Sequence, residues 1–540
     1  MYMLFGKAAP MFAQLVSALR SLATVAEPEP VDYPFGAGDV GQLQRLTQDG
    51  DAATVDPQTW HGLLLDPYFA MLTGQVSIFG KQVLHHRLAD GLADAPRAAL
   101  GERLRSLMAD PAQLAAMQRA SRPLRAADTE IATLLLEDTL PAVPKWASKL
   151  WLLFVGLVAS VAAVALSPLA WLGAGFFAYH LLAIQVRYHE RIAAWDRAMN
   201  AVQMMLRASS LLGALKHPML GDFDSTAQLA GKLNRRLSRS WVTFIPLVRE
   251  YYDWFLLDNV SHYFKGIGIV GKQRDFLIAC YTRCANLEAD LALAQHLLGM
   301  PSTCWAARSG EGSIAMAAAV HPLLQKPAAL SIDLRDSGAF ISGQNGIGKS
   351  TLLRTVGLNL VVARAFGFCY AATASVPMLP VYASMQSEDS LLGGESLYIA
   401  ELQRAKELLA VANGPHRGTY IIDEIFRGTN HLESVSAAAA VLDVLAANSM
   451  VIVSSHNLVL ATLLEHRLAP FCVAVDERGA LTLSPGLLAH TNGIALLAQR
   501  GFGPAIEARA AKVFDWLSAY LAQPDGGNGV LGSAPALRQA

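Results

Sequence analysis

Hydrophobic positions change their spacing along the chain, and the changes divide it. From 63 to about 140 apolar residues recur at helical intervals, as in Leu100-Gly-Glu-Arg-Leu-Arg-Ser-Leu-Met, which predicts amphipathic helices. Between Lys149 and Arg187 the pattern gives way to 37 consecutive residues without a formal charge. One helix of that length would run about 55 Å, against a hydrocarbon core of about 30 Å, and Ser167-Pro168 offers a break near the middle. The pattern predicts a helical hairpin, 150–166 and 169–186, transmembrane or re-entrant; a buried hairpin in a helical domain is the alternative. Helical spacing returns from 187 to 298, for example in Asn286-Leu-Glu-Ala-Asp-Leu-Ala-Leu-Ala-Gln-His-Leu-Leu. Near Ser309 short β-rich runs begin to alternate with helical patterns: 339–342, 419–422, 450–453 and 471–475. That alternation predicts an α/β domain built on a parallel sheet.

Five regions follow: a mostly helical N-terminal region, 1–145; the hairpin, 146–188; a second helical region, 189–310; the α/β domain, 311–522; and a disordered tail rich in Gly, Pro and Ala, 523–540. Residues 1–24 fit an amphipathic helix better than a cleaved signal peptide. Composition sharpens the hairpin reading. Over 540 residues, 53% are hydrophobic and 16% charged, with mean hydropathy +0.31. This excludes a disordered or coiled-coil protein. Lys145, Lys149, Arg187 and Arg191 flank the hairpin, so both ends would face the cytoplasm of a bacterial-type inner membrane. Trp146, Trp151 and Tyr188 would be its interface anchors.

Net charge is −1, from 43 basic and 44 acidic residues, and gives no global attraction to nucleic acid. The basic stretch Lys232-Leu-Asn-Arg-Arg-Leu-Ser-Arg could meet phosphates or lipid headgroups, but reads first as a solvated helix face. Five cysteines without a CxxC spacing are expected to be reduced thiols of a cytosolic compartment. His85-His86 lacks spacing partners for a metal and reads as structural.

Gly343-Gln-Asn-Gly-Ile-Gly-Lys-Ser fits G-x4-G-K-[ST] in full, between the strand 339–342 and the helical run starting at Thr351. Glycines there let backbone N–H groups curl round a phosphate at a helix N-terminus. Lys349 would neutralise the β- and γ-phosphates of ATP, and Ser350 would ligate Mg²⁺. Thr419-Tyr-Ile-Ile-Asp-Glu is an apolar strand ending in two carboxylates: Asp423 for Mg²⁺ and Glu424 to activate the attacking water. A further strand, 450–453, leads to Ser454-Ser-His456, and His456 could sense or stabilise the γ-phosphate.

Taken together, these residues resemble the ATPase domain of the MutS family of DNA mismatch-repair proteins. The resemblance runs from about Val320 to Phe514 and joins His321-Pro322, the phosphate loop, Glu388-Asp-Ser-Leu-Leu-Gly-Gly-Glu-Ser-Leu-Tyr-Ile-Ala-Glu401, Asp423-Glu-Ile-Phe-Arg-Gly-Thr-Asn430, Ser455-His456 and Asn492-Gly-Ile-Ala-Leu-Leu-Ala in family order. It implies a homodimer with two ATP sites. Gly343, Asn345, Gly346, Gly348, Lys349, Ser350 and Thr351 would hold nucleotide, Ser350 and Asp423 would hold Mg²⁺, Glu424 and His456 would be catalytic, and Ser396 would reach the partner's nucleotide. Phe426 departs from the pattern, standing where the family motif Asp-Glu-Ile-Gly-Arg-Gly-Thr-Ser has glycine. Gly346-Ile347 replaces Met-Gly, and Glu395 replaces an arginine. No Phe-x-Glu wedge for reading a mismatch is present, so DNA binding is implied by the resemblance alone. With its hairpin, the chain looks like the truncated, membrane-associated bacterial branch, and 189–310 like a shortened lever region. Two other readings stay open: an ABC- or SMC-like ATPase, suggested by Leu392-Gly-Gly-Glu-Ser396, and a nucleotide-gated membrane scaffold that never touches DNA.

Overall fold

The computed structural model describes residues 32–48, 53–137, 140–239, 246–335, 337–385, 397–414, 417–476, 479–488 and 493–521. The expected amphipathic helix at 1–24, the tail 523–540 and Ser396 lie outside them. The chain forms two compact units.

The first unit comprises, among the described residues, 32–47, 75–83 and 110–291, and is helical. The charge-free stretch does form two helices, α1 (Trp151–Ala163) and α2 (Ala170–Ala214). They correct the membrane reading. At 1.5 Å per residue α1 runs about 20 Å, short of a bilayer core. α2 is long, but its apolar start is interrupted by Tyr179, His180 and Gln185 and soon meets Arg187, Glu190 and Arg191. Among the described residues, no helix is long and apolar enough to cross a membrane. This overturns the transmembrane hairpin and the inner-membrane localisation that rested on it, and leaves the membrane as a partner without support. The physical reason is the break around Ser167-Pro168, which leaves α1 only 13 residues long, together with His180 and Gln185, which dilute the apolar start of α2. Of the three residues expected as interface anchors, Trp151 is exposed, and the other two pack on protein. Tyr188 is buried, with its ring 5.4 Å from Phe264 and 6.2 Å from Tyr263, and Trp146 stacks edge-on to Phe264 at 5.5 Å. α2 buries Leu181, Gln185, Tyr188, Ile192, Trp195 and Met199, the three- and four-residue spacing of one helix face. Arg239, from the basic stretch, pairs with Asp253 at 3.1 Å.

The second unit takes in 48–74, 84–109 and the described residues from 292 onward. Its centre is a ten-stranded sheet in the order β2-β7-β3-β4-β12-β11-β5-β10-β9-β8. The strands are β2 (Ala307–Arg308), β3 (Ser313–Ala319), β4 (Leu330–Arg335), β5 (Gly338–Ser342), β7 (Thr373–Val376), β8 (Val381–Ser384), β9 (Thr419–Asp423), β10 (Met450–Ser454), β11 (Leu468–Val475) and β12 (Leu481–Pro485); β1 (Cys304–Trp305) and β6 (Phe368–Cys369) pair separately. The four expected strands are present as β5, β9, β10 and β11. With β8 they run parallel, and β5, β9 and β10 are buried at every position, as apolar runs in a two-sided sheet should be. The purely parallel sheet, however, is overturned. β12 is antiparallel to β11, β3 is antiparallel to both β4 and β7, and the sheet is mixed. β4 alternates buried and exposed along Leu330-Ser-Ile-Asp-Leu-Arg, a half-buried pattern that a search for apolar runs passes over.

Register places the chemistry. Ser454 lies opposite both Asp423 and Ile341, so β5, β9 and β10 end level with one another. From β5 the chain turns through 343–348 into α3 (Lys349–Phe366), whose residues from Thr355 to Phe366 are all buried. Segment 53–74 covers the sheet's β8 edge. Asp56 caps helix Pro57–Gly62 by accepting from Thr59 N at 2.9 Å, and Thr59 Oγ1 accepts from Ala383 N of β8 at 2.8 Å. Buried Arg404 donates to Thr59 Oγ1 at 3.1 Å and pairs with Asp56 at 3.0 Å. Gly357 of α3 has no side chain because Leu63 occupies that space: an added Cβ would sit 2.6 Å from Leu63 Cδ2.

Candidate functional site

The loop 343–348 turns tightly on its glycines. Gly346 and Gly348 have φ of 77° and 101°, left-handed values that L-residues adopt only at a cost. At Gly343 a Cβ would press on Ile347 Cγ2 at 3.2 Å and Val473 Cβ at 3.3 Å. Asn345 is exposed in this loop, and Ser350 and Thr351 are half-buried in the first turn of α3. Lys349 is buried and folds back, its Nζ donating to Gly343 O at 3.0 Å and Gln344 O at 3.2 Å. Burial pulls its pKa below the usual lysine value, while the carboxylates of Glu424 and Asp423 pull the other way. That opposition puts the lysine and the two acids within electrostatic reach.

Asp423 ends β9, buried, and its Oδ1 accepts from Ser454 Oγ at 2.5 Å. Glu424 follows at φ 58°, and its N–H donates to Ser454 O at 3.0 Å. Its Oε1 lies 3.0 Å from His456 Nε2, and its Oε2 3.3 Å from Arg427 Nε. The hydrogen bond from His456, opposed by burial and reinforced by the charges of His456, Arg427 and Lys349, holds the Glu424 carboxyl below the usual range. Glu424 is thus ionised at neutral pH, with one oxygen on an imidazole and the other beside a guanidinium. Phe426, fully buried, also has a left-handed φ of 57°.

The fold therefore draws Lys349, Asp423, Glu424 and His456 together at the carboxyl edge of three adjacent parallel strands, where ligands of open α/β sheets collect. Two residues without an assigned role join them. Arg427 contacts Glu424, and Glu401, in α4 (Leu397–Ala412), accepts from Arg427 N at 2.8 Å and Gly428 N at 3.3 Å. Both stand inside motifs quoted above, but 26 residues apart, and no spacing rule relates them.

Residues 339–511 match the family model described as MutS domain V. Among similar proteins are three described as DNA mismatch repair protein MutS. The protein of Thermus aquaticus is 27% identical over 209 residues, 37% of this chain and 26% of its own length. That of Myxococcus xanthus is 29% identical over 189 residues (33% and 21%) and that of Salinibacter ruber 30% over 222 (37% and 24%). The likeness to MutS is confined to this C-terminal part of the chain. The MutS-like part of the chain spans about a quarter of the length of these relatives, and it contains every described residue of the site.

Proposed function

We propose that the second unit is an ATP-binding, ATP-hydrolysing module of the mismatch-repair type, seated within 311–522 and working as a homodimer. One observation carries the reading: an ionised Glu424, held by His456 at 3.0 Å, stands beside Asp423 at the mouth of a glycine loop whose lysine is buried. Gly343, Asn345, Gly346, Gly348 and Thr351 would cradle the phosphates through the loop and the start of α3. Lys349 would exchange the two loop carbonyls for phosphate oxygens. Attack by water on the γ-phosphorus would break the bond to the β–γ bridging oxygen as Glu424 takes the water proton. His456, donating to Glu424, would meet the γ-phosphate, and Ser396 would complete the site of the partner subunit.

The donor set suits Mg²⁺. The Ser350 hydroxyl and the Asp423 carboxylate are hard oxygen ligands, and Mg²⁺ bound to a nucleotide needs few of them, the rest being phosphate and water. Among the described residues no group of three or more His, Cys, Asp or Glu forms a metal cage of its own. When bound, the ion would neutralise charge on the phosphates. The name of the relatives raises DNA as a partner; the near-zero net charge adds no electrostatic argument for it.

The test is nucleotide binding and turnover with Mg²⁺. Lys349→Ala should lose ATP affinity, whereas Glu424→Gln should bind ATP as the wild type does and fail to turn it over. Unchanged turnover in Glu424→Gln would overturn the assignment.

A further inference from the structure

We propose that Glu401 is a positioning residue for Glu424 and acts through Arg427; the proposal rests on the ATPase reading above. Arg427 Nε lies 3.3 Å from Glu424 Oε2 and 3.6 Å from Glu401 Oε1, yet it is buried and hydrogen-bonded to neither. Buried donors are nearly always satisfied, so one left open between two carboxylates needs an explanation. A small rotation of the side chain satisfies it on either side.

The two acids are not equivalent. Glu401 is fixed: its Oε2 accepts the backbone N–H groups of Arg427 and Gly428, which leaves Oε1 facing the guanidinium. Gly428 also lies hard against α4, where a Cβ would fall 2.6 Å from Tyr398 N and 2.9 Å from its Cα. The loop after β9 is therefore held to α4 as one body, and Glu401 is its anchor. Glu424 sits at a left-handed φ, with His456 and Arg427, among the described residues, on its oxygens. Arg427 thus has two resting places. On Glu424 it occupies a carboxylate oxygen and stabilises the anion, blunting the base. On Glu401 it leaves Glu424 to His456 and the attacking water. Glu401 sets the division between these states, and so the fraction of molecules whose base is free.

Steady-state hydrolysis tests this. Glu401→Gln keeps an amide oxygen for both backbone N–H groups but loses the charge, so Arg427 moves to Glu424. General-base catalysis is typically worth 100- to 10,000-fold, and partial sequestration of the base should lower kcat by about tenfold with KM unchanged. A merely structural role would disturb nucleotide binding as well, and KM with it. In the Arg427→Met background, adding Glu401→Gln should change nothing further. A Glu401→Gln protein with wild-type kcat, or one whose full loss persists in the Arg427→Met background, would overturn the proposal. A wild-type chain without hydrolysis would overturn the ATPase reading and this role together. Hydrolysis abolished by Glu424→Gln but untouched by Glu401→Gln would overturn this role alone.

Discussion

Phe426 offers a prediction in which two substitutions should fall in an unusual order. Its ring is 1% exposed, meets Tyr398 edge-on at 6.1 Å and belongs to the cluster that includes Phe340, Tyr420, Ile422 and Leu442. Its backbone, at φ 57°, occupies a region where a Cβ costs about 1–2 kcal/mol. Truncating a buried Phe to Ala typically costs about 3–5 kcal/mol, and Phe426→Ala keeps the backbone penalty as well. Phe426→Gly loses the same ring but relieves the strain, against about 0.4–1 kcal/mol of extra unfolded-state freedom. The glycine variant should therefore be more stable than the alanine variant by about 0.5–1 kcal/mol, with both well below wild type. At a helical position the order would reverse, by about 1 kcal/mol. Urea unfolding of the three proteins at a common m-value measures this directly. An alanine variant equal to or more stable than the glycine variant would refute the argument. The chain would then not hold Phe426 left-handed, and burial alone would explain why an aromatic residue stands where the family motif has glycine.

Four other outcomes are expected. Gly428→Ala should cost about 1–3 kcal/mol, since the new methyl meets the backbone of Tyr398 rather than a side-chain tip; a denaturation midpoint checks it. Asp56→Ala should cost about 1–3 kcal/mol, because it removes a helix cap and one of the two carboxylates on buried Arg404, Glu407 remaining at 3.3 Å, and the loss should appear in the transition of the second unit. Burial alone would raise the Asp56 pKa, but Arg404 and the Thr59 hydrogen bonds outweigh it and hold the pKa low. Its stabilisation is therefore complete above the unfolded pKa and lost as pH falls through the folded one, so Asp56→Asn should flatten acid unfolding below about pH 4. His456→Ala removes the largest influence lowering the Glu424 pKa, and the acidic limb of ATP hydrolysis should move to higher pH; a limb that stays put would separate His456 from the base.

The legibility of this molecule follows the range of the forces involved. The strands β5, β9 and β10 were readable because a strand buried on both faces must be apolar throughout, and the phosphate loop because its glycines answer to local backbone geometry. β4 and β3 were not, since alternation over six or seven residues is a weak signal beside long helical patterns. The 150–186 stretch carries no charge, yet α1 is short, His180 and Gln185 interrupt the start of α2, and one face of α2 is a protein core, none of which charge alone reveals. Arg427 and Glu401 could not be paired in advance, because their contact depends on how α4 packs against the loop after β9. The left-handed φ at Glu424 and Phe426 had no signal at all, as neither residue type announces it.

The interleaved make-up of the second unit has a consequence for synthesis. Leu63, Leu65 and Tyr68 emerge early, but their buried partners lie far downstream: Gly357 against Leu63, and Tyr370, whose hydroxyl meets that of Tyr68 at 2.8 Å. At about 5–20 residues per second, the roughly 300 residues between them take about 15–60 s to translate. Throughout that interval an apolar helical segment waits with its final neighbours unmade. The sheet edge at β8 is covered by a segment that precedes it by hundreds of residues, so the strand never has to wait for its cover. The order of synthesis thus exposes the helices, which cannot pair edge to edge, and spares the strand, which can.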